Sequence, residues 1–156
     1  MDGGARRRGR PAEWTAWEEH TLAALRRAGL RSGGARRAVV AHLARQECCV
    51  SAQEIFDGLR ADGRRVGIAS VYRALDTLGA LGLVQRLELG GTATRYEPAE
   101  PSGDHHHHLV CQDCGEVRPF LDLRLEAALD GAAERSAFSV DEHDVVLRGR
   151  CPACTA

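Results

Sequence analysis

Apolar residues in the first half of the chain recur at the spacing of amphipathic helices. The last such stretch, for example, places Val71, Leu75 and Leu78 on one helical face. Ser51 and Glu54 form the pattern of a capping box, which predicts that another helix begins there. The helices predicted in this way cover residues 18–28, 35–45, 51–62 and 68–80.

Two strand-like stretches, 83–89 and 92–97, follow these helices and are separated by Gly90–Gly91, a pair typical of a hairpin turn. Short helices followed by a hairpin are the order of a winged helix-turn-helix, whose last helix before the hairpin enters the major groove of DNA. Tyr72 and Arg73 on the outer face of that helix favour this interpretation. The alternative is a helical core with a hairpin that has no role in binding.

The remaining residues predict a second, smaller module. Its strands are predicted at 105–112, 117–120 and 138–148, with an amphipathic helix at 121–136 that turns Leu125, Ala128 and Leu129 inward. We therefore expect an α+β chain: an N-terminal winged helix-turn-helix plus a small C-terminal α/β domain, which at about 50 residues would need a structural metal or dimerisation for stability. The predicted segments are a disordered basic tail (1–13), the winged-helix domain (14–97), a hinge linker (98–104) and the C-terminal domain (105–156).

Charge is distributed unevenly between the two modules. Residues 1–97 contain 16 Arg and 11 acidic residues, whereas residues 98–156 contain 5 Arg and 11 acidic residues. A basic first half suits a polyanion such as double-stranded DNA. Because the chain has no apolar run that could span a bilayer, and residues 1–11 lack the apolar segment of a secretory signal, we expect a cytoplasmic protein without a membrane partner.

Two Cys-x-x-Cys pairs, Cys111/Cys114 and Cys151/Cys154, are the strongest chemical signal in the chain. Four thiolates at this spacing bind Zn²⁺ or an iron–sulfur centre, and we predict a structural zinc site. A metal whose positions are all filled by protein is not a Lewis acid, and the chain lacks nucleophile and phosphate-loop motifs. We therefore expect no enzymatic activity and no small-molecule substrate beyond metal ions.

Four consecutive histidines precede the first cysteine pair. Because side chains alternate between the faces of a strand, the run predicts two separate metal sites. Imidazole and carboxylate ligands suit Zn²⁺ or Fe²⁺. His105 and His107 would face one way, and His106 and His108 the other. Glu126 and His143 could complete one of the two sites, and Glu97 could complete the other.

Adjacent cysteines, Cys48 and Cys49, lie just before the capping box. In a strand or turn their side chains are expected to point apart. Two interpretations stay open: both are small buried residues, or one supplies a thiolate to a metal site between the modules.

The segments 51–54, 67–75, 105–115 and 151–154 together resemble the ferric uptake regulator (Fur) family, and the resemblance runs from about Leu22 to Cys154. It implies a homodimeric, metal-activated transcriptional repressor. The N-terminal winged helix would read a double-stranded DNA operator, and the C-terminal α/β domain would dimerise and hold metals.

The resemblance also implies a role for each candidate residue. The four paired cysteines match the structural zinc site. An additional metal site is matched by His105, His107, Glu126 and His143. The inter-domain sensing site is matched by Glu97, His106 and His108. Tyr72 and Arg73 match residues that contact base and phosphate, and Arg31 matches one that reaches the adjacent minor groove. The predicted DNA-binding residues are Tyr72, Arg73, Arg31, Arg36 and Thr77.

This chain departs from family patterns at the sensing site. Cys49 stands where iron-sensing members carry a ligand histidine, and a thiolate shifts preference toward zinc. The ligand set of actinobacterial-type zinc sensors is absent, because those positions hold Gln85 and a linker without cysteine. Peroxide-sensing members carry aspartate in place of Glu97. The regulatory metal is therefore predicted to be Zn²⁺, which is slightly favoured over Fe²⁺. The alternative function for the chain is metal storage or delivery without DNA binding.

Overall fold

A computed structural model describes residues 11–31, 33–90, 93–99 and 106–155. The chain divides into two compact units, Met1–Ser102 and Gly103–Ala156. The elements of the first unit are α1 (Pro11–Arg27), α2 (Gly34–Leu43), β1 (Val50–Ser51), α3 (Ala52–Ala61), α4 (Ile68–Ala80), β2 (Val84–Leu87) and β3 (Arg95–Pro98).

Helix α1 begins at Pro11, so the predicted helix start at Glu18 and the predicted end of the tail at residue 13 are both wrong. Proline is favoured at the first helical position because the backbone N–H it lacks has no partner inside the helix there. The helix is anchored by Trp17, which is buried and donates a hydrogen bond from Nε1 to the carbonyl oxygen of Leu83 at 3.2 Å. The rest of the predicted tail, residues 1–10, lies outside the described residues.

Helix α3 begins at the predicted capping box. The Ser51 hydroxyl accepts a hydrogen bond from the Glu54 N–H at 3.2 Å, and the Glu54 carboxylate accepts one from the Ser51 N–H at 2.7 Å. The inward residues of the helices meet in one apolar core that includes Leu25, Val39, Val40, Leu43, Ile55, Leu59, Val71, Leu75 and Leu78. The predicted helical faces are therefore confirmed.

The predicted hairpin is confirmed as β2 and β3, which pair antiparallel. Strand β1 was missed because it has only two residues, and it pairs with β3 to give the sheet order β1-β3-β2. Strand β3 ends at Pro98, the first residue of the predicted linker. The sheet thus places Ser51, the residue before α3, opposite Arg95 in the second strand of the hairpin.

The second unit contains a three-stranded sheet and one long helix. Its elements are β4 (His107–Cys111), β5 (Val117–Phe120), α5 (Leu123–Arg135), β6 (Val146–Gly149) and α6 (Pro152–Thr155), and the strand order is β5-β4-β6. Strand β5 pairs antiparallel with β4, and β6, which α5 connects to β5, pairs parallel with β4. The strand predicted over 138–148 is wrong for most of its length, since only its last residues join the sheet.

Apolar side chains of the second unit are poorly covered by the described part of the chain. No residue of α5 is buried, and Ala128, predicted to face inward, is exposed. Large apolar side chains exposed in this unit are Leu109, Leu121, Leu123, Phe138, Val140 and Leu147. None of the described helices has the length and apolar character needed to cross a bilayer.

Candidate metal and DNA sites

The four paired cysteines come together at one end of the second sheet. Cys111 ends β4, and Gly115, at φ +76°, turns the chain back after the first pair. Cys151 directly precedes α6, which carries Cys154. The four Sγ atoms all lie within 4.8 Å of one another, and those of Cys114 and Cys151 are 3.7 Å apart. A tetrahedron with Zn–S bonds of about 2.3 Å has edges of about 3.8 Å, so this spacing fits zinc.

Local hydrogen bonds shift the pKa values of these thiols in different directions. The backbone N–H groups of Cys114 and Cys151 lower the pKa of the Cys111 thiol to about 6. The pKa of the Cys154 thiol is raised by its hydrogen bonds with Cys151 and Cys114. Cys111 is thus the thiol that ionises most readily, whereas the raised pKa values of Cys151 and Cys154 keep these two thiols protonated at neutral pH. A divalent cation would displace the remaining thiol protons and bind all four sulfur atoms.

A second cluster joins β4, α5 and the loop before β6. His107 is fully buried, and its Nε2 lies 2.7 Å from one carboxylate oxygen of Glu126. Nε2 of His143 lies 3.1 Å from the other oxygen. The Val145 N–H donates a hydrogen bond to Nδ1 of His107 at 3.3 Å, which fixes the ring. Two imidazoles and one carboxylate can hold a divalent cation, and the fourth predicted ligand, His105, lies outside the described residues.

The predicted sensing ligands are distributed over both units. In the first unit, pairing of β1 with β3 places Cys49 beside Glu97, and both are buried. In the second unit, the rings of His106 and His108 are 4.9 Å apart between centroids. Their neighbour His107 instead contacts Glu126 and His143, as described above. Each half of the ligand set is thus assembled within its own unit.

Cys48 and Cys49 lie closer than expected for adjacent side chains. Their Sγ atoms are 3.8 Å apart, so the expectation that they point apart is wrong. The bend at residues 47 and 48 turns both thiols toward the same side. The hydrogen bond with Cys48, followed by burial, raises the pKa of the Cys49 thiol.

A groove of about 410 Å³ in the first unit lies between the start of α2 and the outer face of α4. Arg36 donates a hydrogen bond from Nη1 to the carbonyl oxygen of Arg31 at 2.6 Å, which holds the loop before α2. Four of the five predicted DNA-binding residues line the groove: Arg31, Arg36, Arg73 and Thr77. Three guanidinium groups at one opening provide donors for phosphates and base edges.

Helix α4 presents the fifth predicted residue, Tyr72, beside this groove with 49% of its surface exposed. Arg73 on the same face donates from Nη2 to the Ser70 hydroxyl at 2.9 Å. The Thr77 hydroxyl donates to the Arg73 carbonyl at 2.8 Å. The helix therefore presents an aromatic side chain at its surface and holds the neighbouring cationic side chain by a hydrogen bond to Ser70.

Comparison with known proteins agrees with this architecture. The model of the ferric uptake regulator family matches residues 27–148 of the chain. This protein belongs to the ferric uptake regulator family.

Members of the Fur family resemble the chain over nearly its whole length. The ferric uptake regulation protein of Neisseria gonorrhoeae is 32% identical over 136 residues, which are 86% of this chain and 93% of that protein. The Helicobacter pylori Fur structure matches with a TM-score of 0.79 and 26% identity, covering 92% of this chain and 94% of that one. The Vibrio cholerae Fur structure matches with a TM-score of 0.73 and 34% identity, and the match covers 83% of this chain and 98% of that one. Fur-family proteins are metal-responsive transcription regulators that bind DNA and function as dimers.

Sequence reasoning missed one residue that touches the candidate ligands of this Fur-family chain. Arg95 contacts both the backbone of Cys49 and the carboxylate of Glu54. The sequence offered one indication of this role: Arg95 lies two residues before Glu97, on the same face of a predicted strand. The contact depends on the pairing of β1 with β3, which the sequence pattern did not reveal.

Proposed function

We propose that the chain is a homodimeric, metal-activated transcriptional repressor that acts in the cytoplasm on genes of metal uptake and homeostasis. The observation that carries this proposal is that a groove lined by arginines and clusters of metal ligands occur in the same chain. Guanidinium groups suit DNA, while thiolates and imidazoles suit transition metals. The proposal includes no catalytic activity, membrane partner or substrate other than metal ions.

The Cys111, Cys114, Cys151 and Cys154 site is proposed to hold a structural zinc ion. Four sulfur donors leave no open coordination position, which is typical of structural rather than catalytic zinc. The 3.7 Å separation of two of these sulfur atoms supports this assignment. Zinc there would stabilise a small unit that buries few apolar side chains.

The cluster of His107, Glu126 and His143, completed by His105, is proposed as an additional metal site. The short contacts of both imidazoles with one carboxylate support this assignment. The Helicobacter pylori relative is described as having three functional metal binding sites. We propose three for this chain as well.

The third site is the proposed sensor, with the ligands Cys49, Glu97, His106 and His108. The family resemblance implies this set, and the burial of Cys49 beside Glu97 supports its first half. A thiolate among the ligands favours Zn²⁺ over Fe²⁺. Ligands drawn from both units would restrict the hinge between them when they share one ion.

Restricting the hinge is proposed to select the form of the dimer that fits DNA. Two recognition helices in a dimer read two half-sites only at a defined spacing. Moving such an equilibrium from 1:99 to 99:1 requires about 10⁴-fold preferential binding, or roughly 5.5 kcal/mol. One well-filled transition-metal site can supply that difference, because such sites contribute about 10 kcal/mol or more.

Dimerisation is proposed to occur through the second unit. Six of the eight exposed large apolar side chains among the described residues belong to it, including Leu123 at 76% and Phe138 at 74% exposure. Exposed apolar surface on this scale is typical of a protein interface.

The decisive experiment measures DNA binding as a function of free metal. A palindromic duplex would be selected from a random library with the zinc-loaded protein and then titrated with buffered Zn²⁺ or, anaerobically, Fe²⁺. We expect binding to depend on metal and to respond to zinc at the lower free concentration. His106→Ala should abolish this response while preserving the dimer, whereas His20→Ala, at an exposed position of α1, should leave it unchanged. A retained response in His106→Ala contradicts the sensor assignment.

The alternative function, metal storage or delivery without DNA binding, predicts a different outcome for the outer face of α4. Replacing Tyr72 and Arg73 together should destroy DNA binding by a repressor and leave metal content unchanged. For a carrier the same double variant would be silent in every assay. Arg124→Ala, at an exposed position of α5, is the matched control for loss of one positive charge.

A further inference from the structure

Arg95 links the loop that carries Cys49 to the first turn of α3. Its side chain is only 17% exposed, and it belongs to β3, the central strand of the three-stranded sheet. One nitrogen, Nη1, donates to the Cys49 carbonyl at 3.2 Å and to the Glu54 carboxylate at 3.0 Å. A largely buried guanidinium with two oxygen partners is held in place, because loss of either partner removes a charge-assisted hydrogen bond.

The same carboxylate oxygen also closes the capping box. Oε2 of Glu54 accepts the Ser51 N–H at 2.7 Å in addition to the Arg95 guanidinium. Arg95 lies opposite Ser51 in the strand register, and Glu97 follows two residues later on the same face of β3. One ion pair therefore connects the backbone of Cys49, the strand that bears Glu97 and the start of α3.

We propose that Arg95 is a positioning residue for metal sensing: it holds Cys49 and Glu97 in register with the first turn of α3. This inference rests on the proposed sensor function. Groups that orient metal ligands typically change metal affinity by 10–100-fold when they are removed. Arg95 acts through the Cys49 backbone and the Glu54 carboxylate, and it is itself no ligand.

The test is a Co²⁺ titration of the full chain with zinc already in the four-cysteine site. Absorption from thiolate-to-cobalt charge transfer reports ligation by Cys49 or by the neighbouring Cys48, and it is not produced by the histidine and carboxylate site. Cys48→Ser should retain the band, since Cys49 is the proposed ligand. We expect Arg95→Ala to raise the Co²⁺ concentration at half-saturation by about 10–100-fold. Arg95→Lys should rescue part of this loss, since a single ammonium can replace the charge without the planar geometry.

Arg86→Ala provides the matched control. Arg86 lies on β2 of the same sheet, where it pairs with Glu88 in an exposed contact at 3.3 Å. The Arg86→Ala variant should therefore keep the wild-type midpoint of the Co²⁺ titration. Thermal unfolding is measured in parallel, because a purely structural role for Arg95 would lower the melting temperature without moving the midpoint of the folded protein.

A second variant keeps the test decisive if Arg95→Ala does not fold. Glu54→Gln retains the capping box but loses the ion pair, so it should shift the midpoint in the same direction by a smaller factor. Wild-type midpoints in both Arg95→Lys and Glu54→Gln would overturn the proposal. So would a wild-type protein without the charge-transfer band, since Cys49 would then be no ligand.

Failure of the sensor function itself gives a different pattern. In that case DNA binding by the wild type and by His106→Ala responds equally to metal, whatever the Arg95 variants do. A response that His106→Ala abolishes but Arg95→Ala leaves at the wild-type midpoint overturns only the positioning role.

Discussion

The pKa values of two thiols of this chain are shifted in opposite directions by their nearest contacts. Backbone N–H groups of Cys114 and Cys151 lower the pKa of Cys111 to about 6, so that this thiol is ionised at neutral pH. Contact with Cys48 and burial raise the pKa of Cys49. Cys111 is therefore available to a metal without loss of a proton, whereas a metal bound by Cys49 would first displace one.

At the residue scale we predict that metal activation of DNA binding weakens as the pH falls. Because the pKa of Cys49 is raised, one proton is displaced per bound ion, and the activating metal concentration should rise about tenfold per unit of acidification. The measurement is the midpoint of the buffered zinc titration between about pH 7 and about pH 8, where imidazoles are mostly neutral. Cys49→Ser should flatten the dependence. A wild-type midpoint that does not change with pH contradicts Cys49 as a ligand.

At the scale of the element, α3 connects the capping box beside Cys49 to α4, which carries the candidate DNA-binding residues. It begins at the capping box that Arg95 contacts, and its buried Ile55 shares a core with Val71 and Leu75 of α4. Order in the first turn of α3 therefore contributes to the stability of the whole first unit.

We predict that Ser51→Ala lowers the free energy of unfolding of the first unit by about 1 kcal/mol, because one helix N–H loses its partner. Urea unfolding of the zinc-loaded full-length protein would measure the loss. Ser70→Ala removes a hydroxyl that accepts a hydrogen bond from the exposed Arg73. It should change stability by less than about 0.5 kcal/mol. Equal losses in the two variants would argue against a stabilising cap at Ser51.

At the scale of the whole molecule, the two units depend on different sources of stability. The first has a contiguous apolar core, whereas α5 of the second buries none of its residues. A unit of about 50 residues is marginal by itself and is usually stabilised by a metal or a partner chain. Both are available to the second unit in the proposed function.

We predict that Cys111→Ser removes the structural zinc and unfolds the second unit. Zinc contributes roughly 10–16 kcal/mol in small metal-dependent modules, which is as large as the stability of a typical domain. Metal analysis and amide hydrogen exchange would measure the loss. Cys48→Ser is the matched control and should retain zinc in this site. Normal zinc content in Cys111→Ser would refute the structural role.

We also predict that Phe138→Asp converts the dimer to a monomer. A charge in a buried apolar interface costs several kcal/mol, while at an exposed position it costs little. Sedimentation of the zinc-loaded protein distinguishes the two states. Leu81→Asp, at an exposed apolar position of the first unit, should leave the dimer intact. A dimer that survives Phe138→Asp places the interface elsewhere.

Local patterns in the sequence determined much of the fold and the identity of the candidate ligands. Helix faces, the capping box at Ser51 and the hairpin depend on periodicity and on neighbours within a few residues, which are visible in the chain itself. The same holds for the two Cys-x-x-Cys pairs and for the alternation that separates His107 from His106. The family resemblance added the roles that chemistry alone left open.

Contacts between distant segments were decided only by the tertiary structure. Strand β1 is too short to have a pattern, the anchoring of Trp17 on Leu83 spans the first unit, and β6 is much shorter than its apolar stretch. The contacts of Arg95 with Cys49 and Glu54 also require a strand pairing across more than forty positions. Sequence periodicity reports which face of an element is apolar, but not which partner covers it or which polar groups meet at its edge. Only packing of the whole chain sets those distances.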